Sequence, residues 1–212
     1  MATQYTVKAG DCISSIADQF GFFPDTLWNH PSNASLKSKR KNPNALAEND
    51  TVQIPDVRDK KFQGATGKRH MFKRLGVPAK FRLRLQEGGV ALANLDYSIS
   101  IDGVMQSGKT DDDGVLVISI PPSAKKGHLV VETTPEPTSY DLDLGALPPG
   151  DSISGVKARL NNLGFDCGPL DDSVTDQFKA AVSAFQASQG IKVTGEADDA
   201  TKQKVLALHD QP

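Results

Sequence analysis

Ile153-Ser154-Gly155-Val156-Lys157-Ala158-Arg159-Leu160-Asn161-Asn162-Leu163-Gly164-Phe165 decides how the last third of this chain folds. Ile153, Val156, Leu160 and Leu163 recur at spacings of three, four and three, the period of one helix face. Gly164 stands where a left-handed residue ends a helix. The same period returns downstream: Val174, Phe178, Ala181, Val182 and Phe185 predict a second helix, and Thr201, Val205 and Leu208 a shorter third, with Gly190 and Gly195 at the breaks. Residues 148–212, entered through Pro148-Pro149-Gly150, therefore read as a three-helix domain.

Upstream of this domain the period changes to two. Phe81-Arg82-Leu83-Arg84-Leu85, Tyr97-Ser98-Ile99-Ser100-Ile101 and Tyr140-Asp141-Leu142-Asp143-Leu144 alternate strictly, each giving one face to a core and one to water. Val115 to Ile120 and Leu129 to Val131 are more continuously apolar. Glu87-Gly88-Gly89, Asp102-Gly103, Asp113-Gly114 and Pro121-Pro122 supply the turns. At least five strands at roughly ten-residue spacing predict a small antiparallel sandwich over residues 68–147. Residues 57–67 are polar and aperiodic, the profile of a linker.

Residues 1–56 begin with the strand Tyr5-Thr6-Val7 and a turn at Lys8-Ala9-Gly10. Asp11 is placed to cap a helix carrying Ile13, Ile16, Ala17 and Phe20 and ending at Gly21. A second helix from Pro24-Asp25 carries Leu27 and Trp28 and stops before Pro31. Residues 32–41 read as another short helix or an ordered loop, and Thr51-Val52-Gln53-Ile54, closed by Pro55, as a second strand. The fold expected is a multidomain α+β chain: an N-terminal βααβ module, a central antiparallel β-sandwich and a C-terminal helical domain.

Composition narrows the function. The 212 residues are 38% hydrophobic and 24% charged, with a net charge of −2. That balance hides an asymmetry, because residues 1–87 hold 15 Lys/Arg against 8 Asp/Glu and the remainder 9 against 18. The cations of the basic half lie among Pro, Asn and Ser without interleaved aromatics, which argues against nucleic acid and for a solvated surface or an acidic partner. Cys12 and Cys167 fall in separate modules with no CxxC, so neither a disulfide nor a metal site is expected. The start of the sequence shows neither a signal peptide nor a membrane span, so synthesis in the cytoplasm without membrane insertion is expected.

Tyr5-Thr6-Val7-Lys8-Ala9-Gly10-Asp11-Cys12-Ile13, with Ile16-Ala17, Phe20-Gly21, Pro43-Asn44 and Asp50-Thr51-Val52-Gln53-Ile54-Pro55, resembles a LysM module. Cys12 stands where that family usually has Thr, Asn49 where it has Gly, and His30 to Lys41 is a longer stretch than usual. The resemblance implies a shallow groove for N-acetylated, peptidoglycan- or chitin-like glycan, lined by Gly10, Asp11, Cys12, Ile13, Asn44, Ala45 and Leu46. Val156 to Leu160, Leu163-Gly164-Phe165, Gly168, Asp171, Ala181-Val182, Phe185-Gln186, Val193-Thr194-Gly195, Asp198 and Thr201 resemble a peptidoglycan-binding domain. Asp172 and Thr175 stand where that family usually has Gly, and Phe178 where it has Thr. Phe165 and Asp171 are the positions that this resemblance turns toward glycan. The middle segment, with Asp102-Gly103, Gly108-Lys109-Thr110-Asp111 and Asp113-Gly114, is similar to carboxypeptidase-regulatory or transthyretin-like sandwiches. The order of the three, with Trp28-Asn29-His30-Pro31-Ser32-Asn33, resembles LysM proteins of bacterial contractile injection systems, especially type VI secretion.

Catalytic chemistry is not expected. His30, His70, His128 and His209 are scattered, and no Ser-His-Asp or Cys-His arrangement emerges from motifs. Asp111-Asp112-Asp113-Gly114 lacks the spaced carboxylates and terminal Glu of a calcium loop and reads as a hairpin turn. Adjacent Asp171 and Asp172 do not flank a scissile bond as glycosidases require. No cofactor is implied. The function expected is non-catalytic binding of peptidoglycan by the two terminal modules. Its alternatives are an adaptor or chaperone that loads an effector onto a secretion spike, and a secreted effector or its targeting subunit exported by the injection system.

Overall fold

A computed structural model describes residues 3–57, 61, 63–71, 79–145 and 147–210. Parts of the expected linker (58–60 and 62) and of the expected sandwich segment (72–78 and 146) lie outside the described residues. Among the described residues there are six α-helices and several antiparallel sheets, and most buried apolar side chains fall into three clusters.

In the first unit, β1 (Thr3–Thr6) pairs antiparallel with β2 (Thr51–Ile54), setting Tyr5 opposite Val52. Helix α1 (Ile13–Phe20) follows an extended Cys12 whose N–H is accepted by Ser15 Oγ at 3.0 Å. Cys12, not Asp11, is therefore the capping position. The Asp11 carboxylate accepts instead from Tyr5 Oη at 2.8 Å and from the Lys8 N–H at 3.0 Å, which closes the turn before the helix. Gly21, with φ 74°, ends α1 in the left-handed region. Asn49 adopts φ 67°, a conformation that Asn tolerates better than most residues, which accounts for Asn at a place where Gly is usual.

Helix α2 (Pro24–Trp28) is followed by a 3₁₀ turn at Pro31–Asn33 and by α3 (Ala34–Arg40). The βααβ order thus gains a third helix. Buried Asn33 anchors it, donating to the carbonyls of Leu27 and Gln53, each at 2.9 Å, and accepting the Gln53 N–H at 2.7 Å. Val7, Ile13, Ile16, Leu27, Trp28, Leu36, Val52 and Ile54 form the core. Trp28 is one of its members, with the Lys37 ammonium 5.9 Å from the ring centroid.

The middle unit contains β3 (Ala79–Arg84), β4 (Gln86–Glu87), β5 (Val90–Ala91), β6 (Asp96–Ile101), β7 (Val104–Lys109), β8 (Val115–Ile120), β9 (Lys126–Val131) and β10 (Thr138–Asp143). Four strands form one sheet in the order β10-β9-β6-β7, and β3 pairs with β8 in a second. Tyr97, Ile99, Ile101, Leu129 and Val131 of the first sheet share a core with Leu116, Ile118 and Ile120 of the second. Strand β7 escapes the sequence pattern because it lies at a sheet edge and leaves Val104 and Met105 exposed. The Asp111 carboxylate accepts the N–H groups of Asp113 and Val115, as a hairpin turn uses it.

The last unit is α4 (Ile153–Asn162), α5 (Asp176–Ser188) and α6 (Asp199–His209) around Val156, Leu160, Cys167, Phe178, Val182, Phe185 and Val205. Ser152, Thr175 and Asp198 cap the three helices, their side-chain oxygens accepting from Gly155, Phe178 and Thr201. Two expected face residues do not pack. Val174 precedes the Thr175 cap and is exposed, and Leu208 lies on the outer side of α6. Among the described residues no helix is long and apolar enough to cross a membrane.

Candidate functional site

Helix α4 carries two charged side chains without solvent exposure, Lys157 and Arg159. Burying an ammonium is tolerable only if it is fully hydrogen-bonded. Lys157 Nζ meets Asp171 Oδ1 at 2.6 Å, the Pro169 carbonyl at 3.3 Å and Ser173 Oγ at 3.4 Å, and lies 5.6 Å from the Phe178 ring centroid. These contacts draw residues 169–173 back along α4. Asp172 fixes the turn further by accepting the Ser154 N–H at 2.7 Å.

Asp171 Oδ1 also takes both the N–H and the hydroxyl of Ser173. The Lys157 bond, seconded by Ser173, holds the Asp171 carboxyl at about 2. Its other oxygen, Oδ2, accepts from no described residue, so an ionised acceptor is held at the surface with one oxygen oriented and one open. Leu170 and Val174, 56% and 55% exposed, flank it. The turn thus carries an oriented, ionised carboxylate and, close by in sequence, two exposed apolar side chains.

Phe165 belongs to a different part of the domain. It is partly buried and meets Phe185 edge-on, with centroids 5.5 Å apart and planes at 90°, and no hydrogen bond or ring contact joins it to Asp171 among the described residues. At the far end of the helices, buried Gln186 holds the connection into α6. Its amide donates to Thr194 Oγ1, the Glu196 carbonyl and Thr201 Oγ1, and its oxygen accepts the N–H groups of Thr194 and Gly195.

Residues 149–205 match the family model of a putative peptidoglycan binding domain. The matched stretch takes in the Asp171 turn, its Lys157 anchor and the Gln186 hub. No curated protein and no solved structure matches the chain.

The first unit does bring its two expected loops together, since the Ile13 N–H donates to the Pro43 carbonyl at 3.0 Å. The side chains divide sharply, however. Ile13, Ala45 and Leu46 are buried, Ile13 because it opens α1 on its inner face and Leu46 because it joins the core of the unit. As side chains these three serve packing, so the contact surface reduces to Gly10, Asp11, Cys12 and exposed Asn44. Lys125 Nζ of the middle unit also donates to the Gly10 carbonyl at one end of this surface.

The structure assembles one constellation that no motif revealed. Strand register sets Ser100, His128 and Asp141 side by side across β6, β9 and β10. They line a shallow cavity of about 430 Å³ with Asp102, Lys126 and Asp143. His128 Nδ1 lies 2.8 Å from Asp141 Oδ1, yet no bond joins Ser100 to His128 among the described residues, and Asp141 is 94% exposed. A nucleophile–base bond and a carboxylate shielded from water are both missing from this row. Cys12 and Cys167 are free thiols, and burial pushes Cys167 up to about 11.

Proposed function

We propose that this protein binds peptidoglycan without cleaving it, and that the 169–174 turn of the C-terminal domain makes the principal contact. The family match over residues 149–205 carries this reading. The fixed Asp171 carboxylate between Leu170 and Val174 gives it a chemical form, and the Asn44 edge of the LysM-like unit adds a second, weaker glycan contact. Two weak sites on one chain raise the effective concentration for the second binding event when both reach the same polymer. The order of the units supports placing the protein beside a contractile injection system of the type VI kind, which would carry it to the wall. Conservation of spike or effector genes next to its own would test that placement.

Sedimentation with purified sacculi tests the binding itself. The intact chain is expected to pellet with sacculi at low salt and to leave their turbidity unchanged. Leu170→Glu combined with Val174→Glu is expected to weaken retention about tenfold or more by placing charge on the two apolar contacts. Absence of retention of the intact chain at low salt, or a steady fall in turbidity, overturns the proposal.

A further inference from the structure

Lys157 and Arg159 are two residues apart on α4, so they project about 200° apart around the helix. Lys157 grips the 169–173 turn. Arg159 faces the other way and holds the end of the chain: Nε and Nη2 meet the two oxygens of Asp210, each at 2.9 Å, while Nη1 donates to the carbonyls of Pro148 and Gly155. Asp210 does not stop there. Its Oδ2 also accepts from Asn42 Nδ2, at 3.0 Å, across 168 positions of sequence. Arg40, paired with Asp50 in its own unit, reaches Asp151 at the start of the helical domain, 3.6 Å away. At the other side of the first unit, Lys125 holds the Gly10 carbonyl, and Gly145 approaches so closely that a Cβ there would stand 3.0 Å from that oxygen.

We infer that the first unit is an intramolecular docking partner of the C-terminal domain, seated by Arg40 on Asp151 and by Asn42 on Asp210, the carboxylate that Arg159 holds on the side of α4 away from the Asp171 turn. Arg40 ends α3, in the stretch by which the first unit exceeds the usual length of its look-alikes, and Asn42 follows just after it. Its basic end meets Asp151 and Asp210, so the charge asymmetry of the chain becomes an internal complementarity. Docking on the Arg159 side leaves Leu170, Asp171 and Val174 outward, and the terminal units then meet a ligand as one body with a set spacing. What the outward turn binds rests on the peptidoglycan reading. The docking itself does not.

Small-angle X-ray scattering of the full chain tests it in the absence of glycan, so its failure and that of the binding assay are separable. Asn42→Asp keeps the acceptor that Asn44 uses but faces Asp210 with a second carboxylate. Asp151→Lys opposes Arg40, and Lys125→Ala removes the grip on Gly10. Wild type is expected to scatter as a compact particle at low salt. The triple variant, with circular dichroism unchanged, is expected to show a longer maximum dimension and a detached population raised about tenfold or more. A wild type that already scatters as flexibly joined units, or a folded triple variant whose profile overlays wild type, overturns the inference.

Discussion

Lys157 shows how a single buried residue ties a helix to an exposed turn. Asp171 has its carboxyl held at about 2, below its ordinary 3.8, so the Lys157–Asp171 pair contributes stability that is complete above pH 4 and is lost as the pH falls toward 2. Lys157→Met is expected to return the Asp171 titration toward its ordinary range, read by carboxyl carbon NMR shifts, and to flatten the acid limb of the stability curve. Gly155 is equally specific. A Cβ there would lie 1.9 Å from the Pro149 carbonyl oxygen, so Gly155→Ala must push the chain off the first turn of α4. The expected cost is about 3 kcal/mol, measured by the urea midpoint of the helical domain. Neither role was legible in the sequence, where Lys157 reads as a polar residue between apolar ones and Gly155 as an ordinary helix glycine. Burial and backbone proximity are properties of the assembled domain.

At the scale of elements, periodicity carried most of the information. The apolar spacing of Val156 and Leu160, of Phe178, Val182 and Phe185, and of Ile99 and Ile101 marks the inner faces that the structure buries. It fails where an element lacks an apolar face of its own. Strand β7 sits at a sheet edge, and α3 is held mainly by Leu36 and the Asn33 bridge. Two departures from the family pattern acquire local reasons: Thr175 caps α5 through the Phe178 N–H, and Phe178 fills the core beneath the Lys157 ammonium. Thr175→Ala is expected to cost about 1 kcal/mol, seen as a lower melting temperature of the helical domain with its fold intact. That the loop after β1 meets the loop before β2 was legible in the first unit, but which of their side chains face inward was not. For Ile13 that choice follows from the register of α1 against the core, which turns it inward.

For the molecule as a whole, the contacts at Asp210 join the first unit to the last. Burial alone would raise this carboxyl, but the bonds from His209 and Arg159 outweigh burial and hold it well below the ordinary range. Asp210→Asn leaves the Arg159 guanidinium buried without its counter-charge, at an expected cost of about 3 kcal/mol in chemical denaturation of the full chain. Because Asn42 shares this carboxylate, the same substitution is expected to increase the hydrogen exchange of backbone amides around Asn42, more than 160 positions away in sequence. Sequence composition revealed that one half is basic and the other acidic. Which cation meets which anion depends on the packing of separately folded units, and local patterns carry no trace of it.

The two thiols give the chain a built-in point of observation. Cys167 is sealed in the helical core and its thiol is pushed up to about 11, while Cys12, just before α1, is only partly buried. Maleimides react with the thiolate of an accessible cysteine, so the folded protein at neutral pH should take up one fluorophore, at Cys12, without any engineered substitution. The label would sit two residues from the Gly10 carbonyl that Lys125 holds, and its anisotropy would report in real time whether the first unit tumbles with its neighbours or apart from them.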